Sequence, residues 1–167
     1  MMTYKKHKAF RFKFDDLSLV EELVMPSAIR EGWGMTHIGN DLFVSDGSST
    51  IHKVDPLTFN IISSFTVKEN GREVYNINEL EYVEKEGKIY ANIFMSNDII
   101  VFDLNGAVTK RYDMSELLKI EESYLDEHNI HWSYYDKSNN VLNGIAYRAS
   151  DDTFYLTGKN WHYLFQV

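Results

Sequence analysis

The chain contains no cysteine. Disulfide bridges and thiolate metal sites are therefore excluded, although the compartment stays open, because secreted proteins also do without cysteine. No apolar run approaches the roughly 18 residues that a membrane-spanning helix needs. The first eight residues, Met1 to Lys8, are basic but have no apolar stretch behind them, so they do not read as a signal peptide. Basic clusters are missing too. The formal net charge is −8, which argues against a nucleic-acid surface and against a patch for anionic lipid. Proline occurs twice. Pro26 breaks a connector between strands, and Asp55-Pro56 has turn chemistry.

What is present is a globular composition, 44% hydrophobic over 167 residues, enough for one domain (residues 1–167) with a substantial core. A short phrase recurs three times: Trp33-Gly34-Met35-Thr36, Asn78-Glu79-Leu80-Glu81 and Asn143-Gly144-Ile145-Ala146. Each is followed by matching strands. Leu42-Phe43-Val44-Ser45 answers to Ile89-Tyr90-Ala91-Asn92 and to Phe154-Tyr155-Leu156-Thr157. The first two phrases start 45 residues apart and the second and third 65 apart. A period of this size built of strands points to the blades of an all-β propeller, which set equivalent residues around one axis. The heads Trp33, Asn78 and Asn143 are then expected to converge on one pocket.

Turn signals divide the blades. Gly39-Asn40, Asp55-Pro56, Asn70-Gly71, Glu86-Gly87 and Asn105-Gly106 all separate apolar alternating runs. Ala9 to Phe14 and Leu17 to Val24 read as the outer half of a blade, and Glu73 to Tyr75 as a short strand after Asn70-Gly71. Ser115 to Glu127 breaks the strand pattern and reads as an inserted helix with Ser115 as N-cap and an acidic outer face. His128 to Asn140 reads as a polar, aromatic loop at one end of the pocket. The last blade, Val141 to Val167, is short of its outermost strand. At roughly 45 residues per blade the chain supplies three to four blades, where closed rings have about four to eight. Ring closure is therefore expected from an upstream segment or from another chain.

Seven segments in order resemble the plant and bacterial glutamine cyclotransferase family of five-bladed propellers. They are Glu31-Gly32-Trp33-Gly34-Met35-Thr36, Val44-Ser45-Asp46-Gly47-Ser48, Asp55-Pro56, Asn78-Glu79-Leu80-Glu81, Tyr90-Ala91-Asn92-Ile93-Phe94, Val141-Leu142-Asn143-Gly144-Ile145-Ala146 and Leu156-Thr157-Gly158-Lys159-Asn160-Trp161. Met2-Thr3-Tyr4-Lys5 resembles the family's Leu-Thr-Trp-Lys stretch. The likeness covers essentially the whole chain and roughly the last three-fifths of the family pattern. It implies conversion of the N-terminal glutamine of a peptide to pyroglutamate with release of ammonia, without a metal or other cofactor, in a family that is often secreted. The family's Phe-Thr-Gln-Gly-Leu and Phe-x-Glu-Gly phrases have no counterpart here. The glutamate of the second is the family's proposed proton-transfer residue, so this chain alone is expected to work far below a complete relative. A propeller that binds without catalysing is the alternative. Tyr4 and Phe94 stand where the family carries Trp.

By resemblance and repeat position, Asn78 and Lys159 are expected to polarise the substrate carbonyl. Trp33, Asn143, Phe94 and Tyr4 are expected to hold the glutamine. The nearby carboxylates are Glu31, Glu79 and Glu81. In an extended strand Glu79 points away from Asn78, and Glu31 or Glu81 suits structural hydrogen bonds between blades. The six histidines show no metal-ligand spacing, and Asp46-Gly47-Ser48-Ser49 reads as a tight turn rather than a calcium loop.

Overall fold

The structure, a computed structural model, describes residues 1–131 and 139–167. Its strands are β1 (Lys8–Phe12), β2 (Leu19–Val24), β3 (Met35–Ile38), β4 (Asp41–Ser45), β5 (Thr50–Val54), β6 (Ile61–Thr66), β7 (Lys68–Glu69), β8 (Arg72–Glu73), β9 (Ile77–Val83), β10 (Lys88–Ile93), β11 (Asp98–Phe102), β12 (Val108–Asp113), β13 (Leu142–Arg148), β14 (Thr153–Gly158) and β15 (Phe165–Gln166). The helix is α1 (Ser115–Glu127).

The sheets are antiparallel meanders, as propeller blades are. β3-β4-β5-β6 and β9-β10-β11-β12 form four-stranded sheets, β13-β14-β15 a three-stranded one, and β1-β2 and β7-β8 are hairpins. No closed ring forms among the described residues. The first strand of each meander is the inner one, and β9 packs between β3 and β13. The cores lie between neighbouring sheets. Ile51, Ile77, Ile89, Ile100 and Phe102 fill the space between the two four-stranded sheets. Val83, Val101, Leu142 and Leu156 join the second to the third.

Glycine closes the blades where backbones touch. A Cβ on Gly106 would lie 2.2 Å from the carbonyl oxygen of Thr66 in the previous sheet, and its φ is +85°. The Asp46 turn joins β4 to β5 as a tight turn. Asp46 accepts the Ser48 N–H at 3.0 Å and the Arg30 N–H at 3.1 Å.

Several boundaries differ from the sequence reading. β1 stops at Phe12, because Asp16 accepts the Ser18 N–H and Leu17 turns to φ 55°. The short strand after Asn70-Gly71 is Arg72–Glu73, paired with Lys68–Glu69. The α1 N-terminus is held by Asp113, which accepts the Ser115 N–H at 2.9 Å, and Ser115 is the first helical residue rather than the cap. The helix lies against the third core cluster through Leu117, with Leu118 half-buried. Its face is less uniformly acidic outside than expected, since Glu121 is fully buried and accepts the His162 and Tyr163 N–H groups. Of the expected loop His128 to Asn140, residues 132–138 lie outside the described residues.

Candidate functional site

The three heads are built alike, and the register shows how. Met35 pairs with Val44, Leu80 with Ala91 and Ile145 with Leu156. The residues one and two places before these, Trp33-Gly34, Asn78-Glu79 and Asn143-Gly144, are therefore equivalent. In the second and third heads the pairing slips. Between Ala91 and Ile93 the partner strand steps back three residues, from Leu80 to Ile77, and between Leu156 and Gly158 it steps back three again, from Ile145 to Leu142. The second and third heads thus each carry one extra residue, a β-bulge, which bends the strand and re-aims its side chains. Gly144 takes φ +138° at its bulge, a conformation open to glycine.

Buried polar side chains at the ends of the second strands join one head to the next. Ser45 Oγ accepts the Gly34 N–H at 2.8 Å and donates to the Asn78 carbonyl at 2.6 Å. Asn92 Oδ1 accepts the Gly144 N–H at 3.1 Å. The heads touch closely, since a Cβ on Gly34 would lie 2.1 Å from the Asn78 carbonyl oxygen.

These constraints bring the expected residues together. A pocket of about 350 Å³ is lined by Tyr4, Gly32, Trp33, Asn78, Glu79, Phe94, Asn143 and Lys159. All six side chains expected from the sequence are among them. Trp33 and Phe94 form an aromatic corner, edge to face with centroids 5.3 Å apart. The indole lies over Gly47, where a Cβ would come within 2.6 Å of the ring, and its N–H donates to Glu31 at 2.8 Å. Lys159 Nζ stands 4.7 Å above the centre of the Phe94 ring, a cation–π placement. The turn that presents Lys159 is fixed by its own N–H to the Val141 carbonyl at 2.9 Å and by Trp161, which stacks on Gly158 and donates to the Asn140 carbonyl at 3.1 Å. Asn78 is 6% exposed and lines the pocket. Tyr4 stands at the rim, 55% exposed.

Glu79 departs from the sequence reading. Strict strand alternation aims it away from Asn78, yet it lines the same pocket. The bulge at Asn78-Glu79 is the cause, because an added residue breaks the alternation on which that expectation rested. Burial pushes its pKa up, and the positive charge of Lys159 partly offsets this. A signal was available in the repeat itself. The Asn-Gly at the third head marks a position with special backbone geometry, and Glu79 occupies its equivalent.

The other two carboxylates are engaged elsewhere. Glu31 takes the Trp33 indole N–H. Glu81 accepts the Tyr147 N–H at 2.9 Å and so ties β9 to β13. Burial raises the Glu81 pKa, with the Tyr147 hydrogen bond and the His37 charge opposing. Asp46, His52 and Ser64 look like a hydrolytic triad, but only His52 and Ser64 are hydrogen-bonded, a tie between β5 and β6 whose serine is exposed. His52 Nδ1 is 2.9 Å from Ser64 Oγ, and its Nε2 lies 3.6 Å from Asp46, beyond hydrogen-bond length, with His52 only 6% exposed. Among the described residues no cluster of three or more His, Asp or Glu is placed to hold a metal ion.

The sequence model of the glutamine cyclotransferase family matches residues 1–167. A glutaminyl-peptide cyclotransferase of Arabidopsis thaliana is 33% identical over 161 residues, covering 93% of this chain and 45% of that protein. The crystal structure of Myxococcus xanthus glutaminyl cyclase superposes with a TM-score of 0.86 at 28% identity, over 99% of this chain and 65% of that one. The β-propeller domain of Myceliophteria thermophila Cps50 (Swd1) aligns with a TM-score of 0.51 at 15% identity, over 95% of this chain and 48% of that one, a likeness of fold alone. The chain thus spans less than two-thirds of the length of each of these proteins.

Proposed function

The chain belongs to the glutamine cyclotransferase family, and from that premise we propose that its pocket holds the N-terminal glutamine of a peptide or protein and closes it to pyroglutamate. The observation that carries this reading is the convergence of Trp33, Asn78, Phe94, Asn143 and Lys159 on one pocket. The reaction is an acyl transfer within one residue. The α-amine attacks the side-chain carboxamide, and ammonia leaves.

Each part of the pocket answers a need of that reaction. The flat, uncharged carboxamide packs on the Trp33–Phe94 corner, with Tyr4 at the entrance. This fixes the amine close to the amide carbon and lowers the entropic part of the barrier. Asn78 and Lys159 donate to the carboxamide oxygen, where negative charge develops. Donors held in place in a half-buried site are worth more there than in water. Asn143 takes the polar atoms of the first peptide unit. An acyl group or a longer apolar side chain in place of glutamine leaves these donors unpaired, which selects against it.

A second reading is a propeller that binds such peptides without converting them. One assay separates the two. The chain is incubated with a Gln-initiated peptide, and both ammonia and the pyroglutamyl product are followed against the spontaneous rate. The enzyme reading expects conversion above that rate, falling roughly 10²–10³-fold in Lys159→Met or Asn78→Ala. Binding with no conversion supports the second reading, and neither binding nor conversion refutes both.

A further inference from the structure

Helix α1 interrupts the run of strands and sends one carboxylate inward. Glu121 is fully buried, whereas Ile120 beside it is 48% exposed. Solvation favours the reverse order, because burying a carboxylate is costly unless hydrogen bonds meet its charge. Three groups meet it, and one loop supplies all of them. The His162 N–H reaches Oε1 at 2.8 Å, the His162 ring Nδ1 stands 2.8 Å from the same oxygen, and the Tyr163 N–H reaches Oε2 at 3.2 Å. A carboxylate only accepts, so Nδ1 is the protonated ring nitrogen in this contact.

That loop follows β14 and begins at Lys159. Its first half is held from the start of β13. The Lys159 N–H donates to the Val141 carbonyl at 2.9 Å, and the Asn160 side chain donates to Asn140 Oδ1 at 2.8 Å. Asn160 takes φ +57°, which an L-residue seldom adopts unless its surroundings hold it there. The second half is held by α1. Lys159 reaches the Phe94 ring on a flexible four-carbon stem, so the place of its ammonium depends on how this loop is fixed at both ends.

We propose that Glu121 is a positioning residue, through which α1 grips the loop after β14 and sets where Lys159 stands in the pocket. The use of that placement in cyclisation rests on the pocket being the Gln-peptide site. Glu121 acts at His162 and Tyr163, three and four residues beyond Lys159. The role needs a carboxylate. Glutamine offers one accepting oxygen and one donating nitrogen, so one backbone N–H of the loop would face another donor. Tyr124, on the same helix, packs on the His162 ring with centroids 4.8 Å apart and on Tyr163 at 5.2 Å. These contacts keep the helix docked when the carboxylate is replaced.

The test is an NMR spectrum resolving the lysine side chains in wild type, Glu121→Gln, Glu122→Gln and Lys159→Met, the last to identify the Lys159 signal. Circular dichroism checks that each is folded. In wild type the Lys159 ε-methylene protons should lie upfield of those of exposed lysines, displaced by the ring current of Phe94. Glu121→Gln should lose that displacement, and the exposed neighbour Glu122→Gln should keep it. Amide hydrogen exchange in wild type gives a reading that needs no variant. The His162 and Tyr163 amides should be as protected as that of Leu125 in α1. A Gln-initiated peptide supplies the functional arm. If wild type converts it, Glu121→Gln should be slower by up to about 10²-fold, the cost of misplacing a group by about 1 Å. The double variant with Lys159→Met should be no slower than Lys159→Met alone, because both act through one group. An unmoved Lys159 signal in folded Glu121→Gln, free exchange at His162 and Tyr163, or additive losses in the double variant would overturn the positioning role. Loss of the displacement in Glu121→Gln, with no peptide bound by wild type, would uphold the positioning role and overturn the peptide site.

Discussion

Replacing Ser45 by alanine should uncouple the first head from the second. Ser45 is fully buried, and its hydroxyl both accepts the Gly34 N–H at 2.8 Å and donates to the Asn78 carbonyl at 2.6 Å. Alanine keeps the packing and removes only the oxygen. The space left by one oxygen is too small for a replacing water. The Gly34 N–H, also buried, then loses its partner outright, which costs about 1–3 kcal/mol. The Asn78 carbonyl loses one of two possible donors, a smaller loss of about 1 kcal/mol. The total is about 2–4 kcal/mol, or a fall of roughly 4–16 °C in Tm for a chain of this size. Urea unfolding followed by circular dichroism measures it, with Ser63→Ala on exposed β6 as a control expected within about 0.5 kcal/mol of wild type. A loss below about 0.5 kcal/mol in Ser45→Ala would refute the claim that this hydroxyl joins the heads.

Gly34→Ala places a methyl group 2.1 Å from the Asn78 carbonyl, so the two inner strands must part, and a loss of about 1–3 kcal/mol is expected. Gly39→Ala meets open space at φ +59° and should cost only about 1 kcal/mol of backbone strain; equal losses in chemical unfolding would contradict the contact argument. Burial works to raise the Asp46 pKa, but the side chains of His52 and Ser48 and the N–H groups of Arg30 and Ser48 outweigh it and hold it at about 2. Its stabilisation, about 2 kcal/mol, is present above the ordinary pKa of 3.8 and is lost as the pH falls from there towards 2. The stability gap to Asp46→Asn should close over that window, and a gap unchanged between pH 5 and 2.5 (about the limits of the window) would count against it. Glu79 has the opposite sign. Its raised pKa means that its contribution is present below 4.5 and is lost as the pH rises through the folded value. Glu79→Gln should therefore be more stable than wild type at neutral pH and indistinguishable from it in acid, and a destabilised variant at neutral pH would show that the carboxylate has a structural partner.

The repeat was legible because turn chemistry recurs at fixed places. Gly39, Gly71, Gly87 and Gly106 all take the positive φ that their turns require. The helix stood out by its period, and the pocket by the equivalence of Trp33, Asn78 and Asn143. Local rules broke down where tertiary contacts decide. Alternation along β9 holds from Leu80 onward but not through the bulge that turns Glu79 inward. Glu121 looked like one more surface acid beside Glu122, but the loop after β14 brings two backbone N–H groups and His162 onto it. Ser45 and Asn92 were visible only as repeat equivalents. Their link to the next head depends on how the sheets pack, and its one trace in the sequence is a polar residue ending an otherwise apolar strand.

The most direct test is a crystal structure of the chain with a pyroglutamyl peptide, the stable product, bound. The account predicts the lactam ring against Trp33 and Phe94, with its carbonyl oxygen within hydrogen-bond reach of Asn78 or Lys159. A peptide seated instead at the other end of the inner strands, in the cavity between Thr36, Glu81 and Tyr147, would contradict it.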